Sequence, residues 1–436
     1  MKIAAPSRGS ELFPDGGSGV RSLLTKRTAI GIIVVAIIGG GIYFAKQSGT
    51  VDDVYRNDFN VYYFAAREVL AGRDPYQRSL GDWTPYIYPP LLSELMIPLA
   101  SLSLTVAAYL WFLISAGSVL AAAGMSAALI RKSGVQSDSD STLQNNLIAL
   151  LAVIVVLRFA LDTFSLGQVN AVVGALTVAH LFFYSRDKKW LSAIALVLAV
   201  SIKLTPAVLL VYHVAKLRLK FVAACAALLI GVTVLSFLPF GSQADDVFKT
   251  FWNRTVRNEQ GYDFAYSGNQ SLRGAIERLK GNSDKADDGN AAAREPSDAV
   301  TLIVSLVVLG LAVFAATKTD SLLYGAAPFF CCVVILSPLS WKAHFVMLIL
   351  PIACLLHQAW KNRTSRWWVV FSLVVAFLLF NFTSPKVIGL TKGEWADTHS
   401  LVFAGALIIF AACVIQNVLQ DRQINIATPT MHDETA

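Results

Sequence analysis

One polar stretch of this chain, residues 52–88, carries residue types that perform acid–base chemistry. It follows the first long apolar run and contains carboxylates, arginines and many tyrosines, which neither a lipid-facing segment nor a plain linker needs. Asp58 lies about a dozen residues beyond that run, so we expect its carboxylate near the membrane surface, where it can act as a general base. Alternatively, Asp58 only caps a helix formed by Phe59 to Ala71. Asp52 and Asp53 are competing candidates.

Four basic residues are candidates for binding a phosphate group. Lys203 lies in an otherwise apolar run, which indicates a functional role, although snorkelling to the membrane interface is the alternative. His344 and Lys342 follow a Pro and a Trp and offer a second phosphate or leaving-group site, although a lone histidine is more often a packing residue. Arg257 belongs to a long polar segment whose arginines, amides and aromatic rings suit a sugar or a phosphate.

Amide and aromatic side chains near these groups are candidates for contacting a sugar. Gln168 and Asn170 begin a predicted span, where amides bind sugar hydroxyls or bridge helices, and the sequence does not separate the two. Asn269 and Gln270 belong to the long polar segment. Aromatic residues on the same face stack on a sugar or form an interfacial belt; they are Trp83, Tyr86, Tyr88, Trp252, Tyr262 and Tyr266.

The composition indicates that these groups are held by membrane helices. The chain has 436 residues, of which 55% are hydrophobic and 15% charged, whereas soluble domains carry about 25% charged residues. We therefore predict an all-α polytopic membrane protein of about twelve spans, with both termini on the cytoplasmic side. The predicted spans are approximately 28–46, 106–130, 146–163, 168–184, 189–203, 205–216, 221–239, 300–317, 321–338, 343–359, 367–384 and 399–416.

The distribution of basic residues predicts the orientation of this bundle. With the termini inside, the cytoplasmic loops hold twelve Lys and Arg residues and the short outer loops hold four. The net charge of +7 is therefore a topology signal, and no nucleic-acid partner is expected. All the candidate polar groups then collect on the outer face.

Two irregular segments and two tails complete the predicted organisation. Residues 89–104 are apolar but short and interrupted by a Glu and a Pro, so we predict a re-entrant or interfacial helix. Pro206 predicts a broken helix in the span 205–216. The predicted domains are a disordered cytoplasmic tail (1–27), a catalytic transmembrane domain (28–418) with a first outer loop (47–105) and a long outer loop (241–299), and a second cytoplasmic tail (419–436).

An enzyme whose site faces outwards needs an energy-rich donor that is present on that side of the membrane. The sequence has no glycine-rich nucleotide fingerprint and no carboxylate pair typical of a metal-bound nucleotide sugar. Its cytoplasmic loops are too short for a soluble catalytic domain. A lipid-linked sugar is therefore the expected donor, and neither a metal nor a cofactor is expected.

A series of motifs resembles glycosyltransferase family 87, whose members are bacterial membrane enzymes of the GT-C fold. The resemblance extends from Thr28 to about His399. It implies a polyprenyl-phosphate-dependent, α-mannosyltransferase-like enzyme in the bacterial inner membrane, with its active site facing the periplasm or the cell exterior. The motifs, in order, are DFNVYYFAAREVLAGRDPY, YIYPPLL, SLGQVNAVVGAL, SIKLTPAVLLVY, SGNQSLRG and SPLSWKAHFVMLILP.

The resemblance also implies roles for individual residues. The family's DF-x-x-Y aspartate corresponds to Asp58, the general base of an inverting transfer to a lipid or glycan acceptor. Its K-x-x-P lysine corresponds to Lys203, and the histidine after SP-x-x-W corresponds to His344, both near the donor phosphate. Ala343 stands where some members carry a second histidine. The first-loop tyrosines of the family correspond to Tyr62, Tyr63 and Tyr76.

Two interpretations from other functional classes remain open at this stage. A lipid-linked sugar flippase or transporter would place Asp58 and Lys203 along a pathway and predicts ionisable residues throughout the spans. A structural scaffold explains the hydrophobicity but gives no reason for the polar outer loops. The transporter interpretation is distinguished from an enzyme by whether Asp58, Lys203 and His344 surround one cavity.

Overall fold

The computed structural model describes residues 34–48, 57–76, 85–133, 139–257, 263–281, 299–362 and 366–427, and every regular element in these ranges is helical. Asp52, Asp53, Trp83, Tyr262 and the tail 1–27 lie outside the described residues. The helical segments, in chain order, are 34–48, Asp58–Leu70, Pro90–Leu95, Ile97–Ala100, Leu104–Ser133, Ser139–Val155, Leu157–Leu166, Asn170–Tyr184, Lys189–Ile202, Thr205–Ala207, Val208–Ala215, Leu219–Phe237, Leu238–Gln243, Ala244–Phe251, Trp252–Val256, Leu272–Leu279, Ala299–Thr317, Leu322–Ile335, Lys342–Leu348, Ile349–Lys361, Arg366–Asn381, Pro385–Ile388, Leu390–Thr398 and Leu401–Ala427.

The described helices confirm an all-α chain with several membrane-capable segments, but not the predicted count of about twelve spans. Among the described residues, five helices are long and apolar enough to cross a membrane, and the number is six if 142–155 and 157–166, which meet at 63°, count as one bent span. Five further apolar helices have only 10–17 residues. Each predicted span contains a helix, but apolar length alone does not make the shorter ones full crossings.

The first outer loop folds into short helices. Asp58–Leu70 begins after Asn57, whose side-chain oxygen accepts a hydrogen bond from the Phe59 backbone N–H at 2.9 Å. The alternative that Asp58 is the N-cap is therefore wrong, because Asn57 holds that position and leaves the Asp58 carboxylate available. The segment predicted as one interfacial helix is instead two short helices, Pro90–Leu95 and Ile97–Ala100, both packed against Asp58–Leu70.

Two helix breaks bring polar residues next to the first loop. The helix Lys189–Ile202 ends at Lys203, whose backbone is extended, and helical structure resumes at Thr205–Ala207. This confirms the predicted break, since proline is disfavoured inside a helix and favoured in its first turn. A second break follows Leu322–Ile335, after which the chain turns back into the helix Lys342–Leu348, which contains His344.

Gly167 makes the tight turn that places Gln168 and Asn170. It ends the helix Leu157–Leu166 in the left-handed conformation, with φ of 63° and ψ of 30°. Its carbonyl accepts a hydrogen bond from the Trp111 indole N–H at 2.7 Å, which fixes the turn against a long membrane-capable helix. Only glycine fits, because a Cβ here would lie 2.6 Å from the Phe59 side chain and 2.8 Å from that of Asn57.

We predict that Gly167→Ala destabilises the protein more than Gly72→Ala does. Both glycines have positive φ, of 63° and 68°, so alanine costs roughly 1 kcal/mol at either position through the backbone alone. Only Gly167 has neighbours within 4 Å of the added Cβ. Thermal unfolding in detergent should show a clearly lower midpoint for Gly167→Ala, and equal midpoints for the two variants would contradict this account of the turn.

Candidate active site

A hydrogen-bonded series of side chains joins Asp58 to His344 across four segments of the chain. The Gln168 amide donates to the Asp58 carboxylate, and its oxygen accepts from the Asn170 amide. The Asn170 oxygen accepts from Lys203 Nζ at 2.8 Å, and the same ammonium donates to His344 Nε2 at 2.7 Å. When Lys203 is protonated it has no acceptor, so His344 then presents Nε2 as an acceptor and is a neutral imidazole.

Asp58 opens into a cavity of about 560 Å³. This cavity, called the Asp58 cavity below, has carboxylate, amide and ammonium groups on its walls together with aromatic rings. A volume of this size lies within the usual range for small-molecule sites, about 300–1,000 Å³. Its lining residues are Asp58, Val61, Pro85, Ile87, Tyr88, Asp162, Leu166, Gln168, Tyr266, Gly268, Trp341, Lys342 and Ala343.

The surroundings of Asp58 raise the pKa of its carboxyl group to about 6. The main cause is burial, since removal from water disfavours the charged form of the carboxyl group. The hydrogen bond from Gln168 and the positive charge of Lys203 oppose this shift. A carboxylate with a pKa near 6 is ionised at neutral pH and is a stronger base than an ordinary aspartate, which suits proton abstraction.

Lys203 and His344 line a second cavity, of about 200 Å³, called the Lys203 cavity below. Arg257 lies on its wall, as the sequence predicted, together with Arg254 and Arg273. Arg254 and Arg273 also belong to the long loop, but their residue type alone does not distinguish them from its other arginines. The Lys203 cavity shares Ile87, Tyr88 and Trp341 with the Asp58 cavity, so the two are adjacent.

Lys342 belongs to the Asp58 cavity and is absent from the lining of the Lys203 cavity, in contrast to its predicted grouping with Lys203 and His344. Its ammonium forms an ion pair with the buried Asp397 carboxylate. The phosphate contact of Lys342 stays a prediction, and the structure separates this residue from the other predicted cations, which line the neighbouring cavity.

Of the predicted tyrosines in the described ranges, Tyr88 and Tyr266 line the cavities, whereas Tyr62, Tyr63, Tyr76 and Tyr86 do not. The Tyr63 hydroxyl donates to the Leu102 carbonyl at 2.8 Å, and the Tyr76 hydroxyl donates to the Tyr88 carbonyl at 2.7 Å. Tyr86 donates to the Pro89 carbonyl at 2.9 Å, and Tyr62 donates to the Tyr88 hydroxyl at 3.0 Å. These four residues are buried and pack the first loop so that Tyr88 is held at the shared wall.

Asn269 and Gln270, predicted to contact a sugar, are fully buried and use their amides on the backbone. Asn269 donates to the Phe264 and Pro338 carbonyls at 3.0 and 3.1 Å and accepts from the Ser340 N–H at 2.9 Å. Gln270 donates to the Asp397 carbonyl at 2.8 Å. Asn269 therefore clamps the long loop to the break that precedes His344, and Gln270 clamps the loop to the segment that contains Asp397.

Within the described ranges, no group of three or more His, Cys, Asp or Glu residues is placed to hold a metal ion. The arrangement instead offers a base in one cavity and cations in the next. This division suits the transfer of a group from a phosphate leaving group to a hydroxyl, with attack and departure on opposite sides of one carbon.

Comparison with known proteins identifies the family. The model of glycosyltransferase family 87 matches residues 86–339. A polyprenol-phosphate-mannose-dependent alpha-(1-2)-phosphatidylinositol pentamannoside mannosyltransferase of Mycolicibacterium smegmatis is 30% identical over 333 residues, covering 75% of this chain and 74% of the relative. The protein of the same name from Mycobacterium tuberculosis is 26% identical over 336 residues, covering 74% and 72%.

A further relative from M. smegmatis, a polyprenol-phosphate-mannose-dependent alpha-(1-2)-phosphatidylinositol mannoside mannosyltransferase, is 26% identical over 355 residues, or 76% of each chain. No solved structure matches the chain significantly. The family model and the length of these matches, together with the apolar helices and the paired cavities, establish that this chain belongs to glycosyltransferase family 87 and is a membrane glycosyltransferase.

Proposed function

We propose that this enzyme transfers a mannosyl residue from a polyprenyl-phosphate donor to a hydroxyl of a glycolipid or cell-envelope glycan, on the outer face of the membrane. The names of the relatives, which specify a polyprenol-phosphate-mannose donor and phosphatidylinositol mannoside acceptors, support the donor and the acceptor class. The outer location rests on the excess of basic residues in the loops assigned to the cytoplasm.

The observation that carries this proposal is the hydrogen-bonded series from Asp58 to His344. It links a base in the larger cavity to a cation in the smaller one through Gln168 and Asn170. A sugar at the shared wall of Tyr88 and Trp341 would therefore have a proton acceptor on one side and phosphate-binding groups on the other.

The donor suits the Lys203 cavity. Its wall includes apolar side chains, such as Leu204 and Val256, beside the cations, which matches a phosphate attached to a polyprenyl chain. As the bond between the anomeric carbon and the phosphate oxygen breaks, that oxygen keeps the electron pair and gains negative charge. Lys203, Arg254 and Arg257 stabilise this charge, and they act most strongly where water is excluded.

The acceptor suits the Asp58 cavity. Its hydroxyl oxygen attacks the anomeric carbon from the face opposite the phosphate, while Asp58 takes the hydroxyl proton. One displacement of this kind inverts the configuration of the anomeric carbon. The products are the glycosylated acceptor, polyprenyl phosphate and a protonated Asp58, which then returns its proton to water.

A flippase or transporter is not favoured. Asp58, Lys203 and His344 do not surround one cavity as the enzyme interpretation expected, because Asp58 lines one cavity and the other two line the adjacent one. Hydrogen bonds nevertheless join them into one cluster, whereas a transport pathway requires polar groups at successive depths through the membrane. The relatives are named as mannosyltransferases, which also supports catalysis.

We expect Asp58→Asn to lower turnover by about 10²- to 10⁴-fold, the usual contribution of a positioned general base. The assay combines purified protein, polyprenyl-phosphate mannose and phosphatidylinositol mannosides, with products measured by mass spectrometry. Asp245→Asn is the matched control, because Asp245 is an exposed carboxylate that pairs with Lys249 away from both cavities. Undiminished turnover by Asp58→Asn would remove this residue from the proposed role.

The pH profile should report the titration of Asp58. Below a pH of about 6 the carboxyl group is protonated and cannot accept a proton, so kcat/KM should fall as pH decreases through this value. Gln168→Leu removes a hydrogen bond that favours the ionised form of Asp58, so the pKa of Asp58 should rise by about one unit. The acid limb of the profile should then move to higher pH.

The control for this measurement is Gln243→Leu, the same substitution at an exposed position outside both cavities. Its acid limb should coincide with that of the unmodified protein. An acid limb that does not move in Gln168→Leu, or an activity that stays constant well below pH 6, would contradict the assignment of Asp58 as the titrating base.

We expect Lys203→Met to lower kcat/KM for the donor by about 10- to 100-fold, because a hydrogen bond to a charged group contributes roughly 1.5–3 kcal/mol. Lys189→Met is the matched control, since Lys189 is exposed and pairs with Asp187 at the surface. If Lys203→Met and Lys189→Met have the same kcat/KM for the donor, Lys203 does not interact with the phosphate.

A further inference from the structure

The Asp58 cavity contains a second carboxylate, Asp162, for which the mechanism above has no use. Asp162 and Leu166 lie one turn apart on the helix Leu157–Leu166, and both line the cavity. The neighbouring Thr163 hydroxyl donates to the Ala343 carbonyl at 3.0 Å. This contact fixes the Asp162 turn against the segment that carries Lys342, so the position of Asp162 in the cavity is well defined.

The carboxylate of Asp162 has no hydrogen bond or ion pair with a side chain or backbone group of the described residues; its interactions with them are electrostatic only. Burial of Asp162 disfavours its ionised form, while the nearby cations Arg158, Lys342 and Lys386 favour it. A half-buried carboxylate without hydrogen-bond donors among the described residues has acceptor capacity that a ligand can use.

Two of the three cations near Asp162, Arg158 and Lys342, are held by other partners. The Arg158 guanidinium donates to the Phe380 carbonyl at 2.9 Å and to the Thr383 hydroxyl at 3.1 Å. Lys342 pairs with Asp397. These contacts keep the cations close enough to stabilise the charge of Asp162 while leaving its oxygens open to the cavity.

This environment matches one face of a sugar ring. A carboxylate has two oxygens that can accept hydrogen bonds from two adjacent hydroxyl groups, and hydrogen bonds to a charged acceptor are the stronger kind. The aromatic rings of Tyr88, Tyr266 and Trp341 line the same cavity and offer surfaces for the apolar face of the sugar. Asp58, which takes the proton, lines the same cavity but belongs to a different helix, Asp58–Leu70.

We propose that Asp162 binds two adjacent hydroxyls of the acceptor sugar and so determines which hydroxyl reaches Asp58. This inference rests on the proposed function, because it assigns the Asp58 cavity to the acceptor. Asp162 is then a specificity-determining residue, and it acts on the acceptor without taking part in proton transfer.

The test compares Asp162→Asn with Asp187→Asn, in which the same change is made at an exposed surface carboxylate. With phosphatidylinositol mannosides as acceptors, Asp162→Asn should lower kcat/KM for the acceptor by about 10- to 100-fold and leave the KM for the donor unchanged. Linkage analysis of the product should also show a mixture of glycosylated hydroxyls. If Asp162 had only a structural role, Asp162→Asn would impair the kinetics for both the donor and the acceptor, and the linkage of the product would not change.

A binding measurement separates this inference from the proposed function. Methyl α-mannoside is titrated by NMR against Asp58→Asn protein and against the double variant Asp58→Asn/Asp162→Asn, so that no turnover is needed. Weaker binding by the double variant supports the acceptor site even if the unmodified protein fails to transfer mannose. Equal binding by both proteins, or an unchanged linkage and acceptor KM in Asp162→Asn, overturns the inference.

Discussion

The attraction between Asp58 and Lys203, transmitted through two amide side chains, is the interaction on which the site depends. Removing a carboxylate and an ammonium from water costs several kcal/mol for each ion unless hydrogen bonds replace the lost hydration. Gln168 and Asn170 supply these bonds in one consistent direction, each donating with its nitrogen and accepting with its oxygen. Loss of either amide would leave a charged group under-compensated.

Such a network requires backbone that is not continuous helix. Within an apolar environment, irregular backbone is tolerated where it lies inside protein or beside a polar cavity. The left-handed turn at Gly167, the extended residue Lys203 and the break before Lys342 all meet this condition, because each contributes directly to the two cavities or their linking side chains. The helices thus hold the site rigidly, and the breaks between them contribute its polar side chains.

In the proposed mechanism, the two cavities have different roles. Cations and apolar side chains collect around Lys203, where a lipid-linked phosphate would bind, while Asp58 and Asp162 face the space for an acceptor. Burial raises the pKa of the Asp58 carboxyl group, whereas Lys203 and Gln168 limit the rise. The balance leaves a carboxylate that is ionised at neutral pH and more basic than an ordinary aspartate, as the proposed role requires.

The sequence alone determined the helical class, the break at Pro206 and the positions of Asp58, Lys203 and His344 as candidates. These are local properties, since apolar length, proline placement and isolated charges are visible within short segments. The count of about twelve crossings was beyond such reasoning, because several apolar helices are shorter than a membrane and their packing decides their path.

Only the tertiary structure decided which polar side chains are partners. It assigned Lys342 to Asp397, buried the hydroxyls of Tyr63, Tyr76 and Tyr86 against backbone, and used Asn269 and Gln270 as clamps. It also added Arg254, Arg273 and Asp162 to the cavities. These contacts join segments far apart in the chain, so the direction of each side chain follows from helix packing, which residue type and spacing do not encode locally.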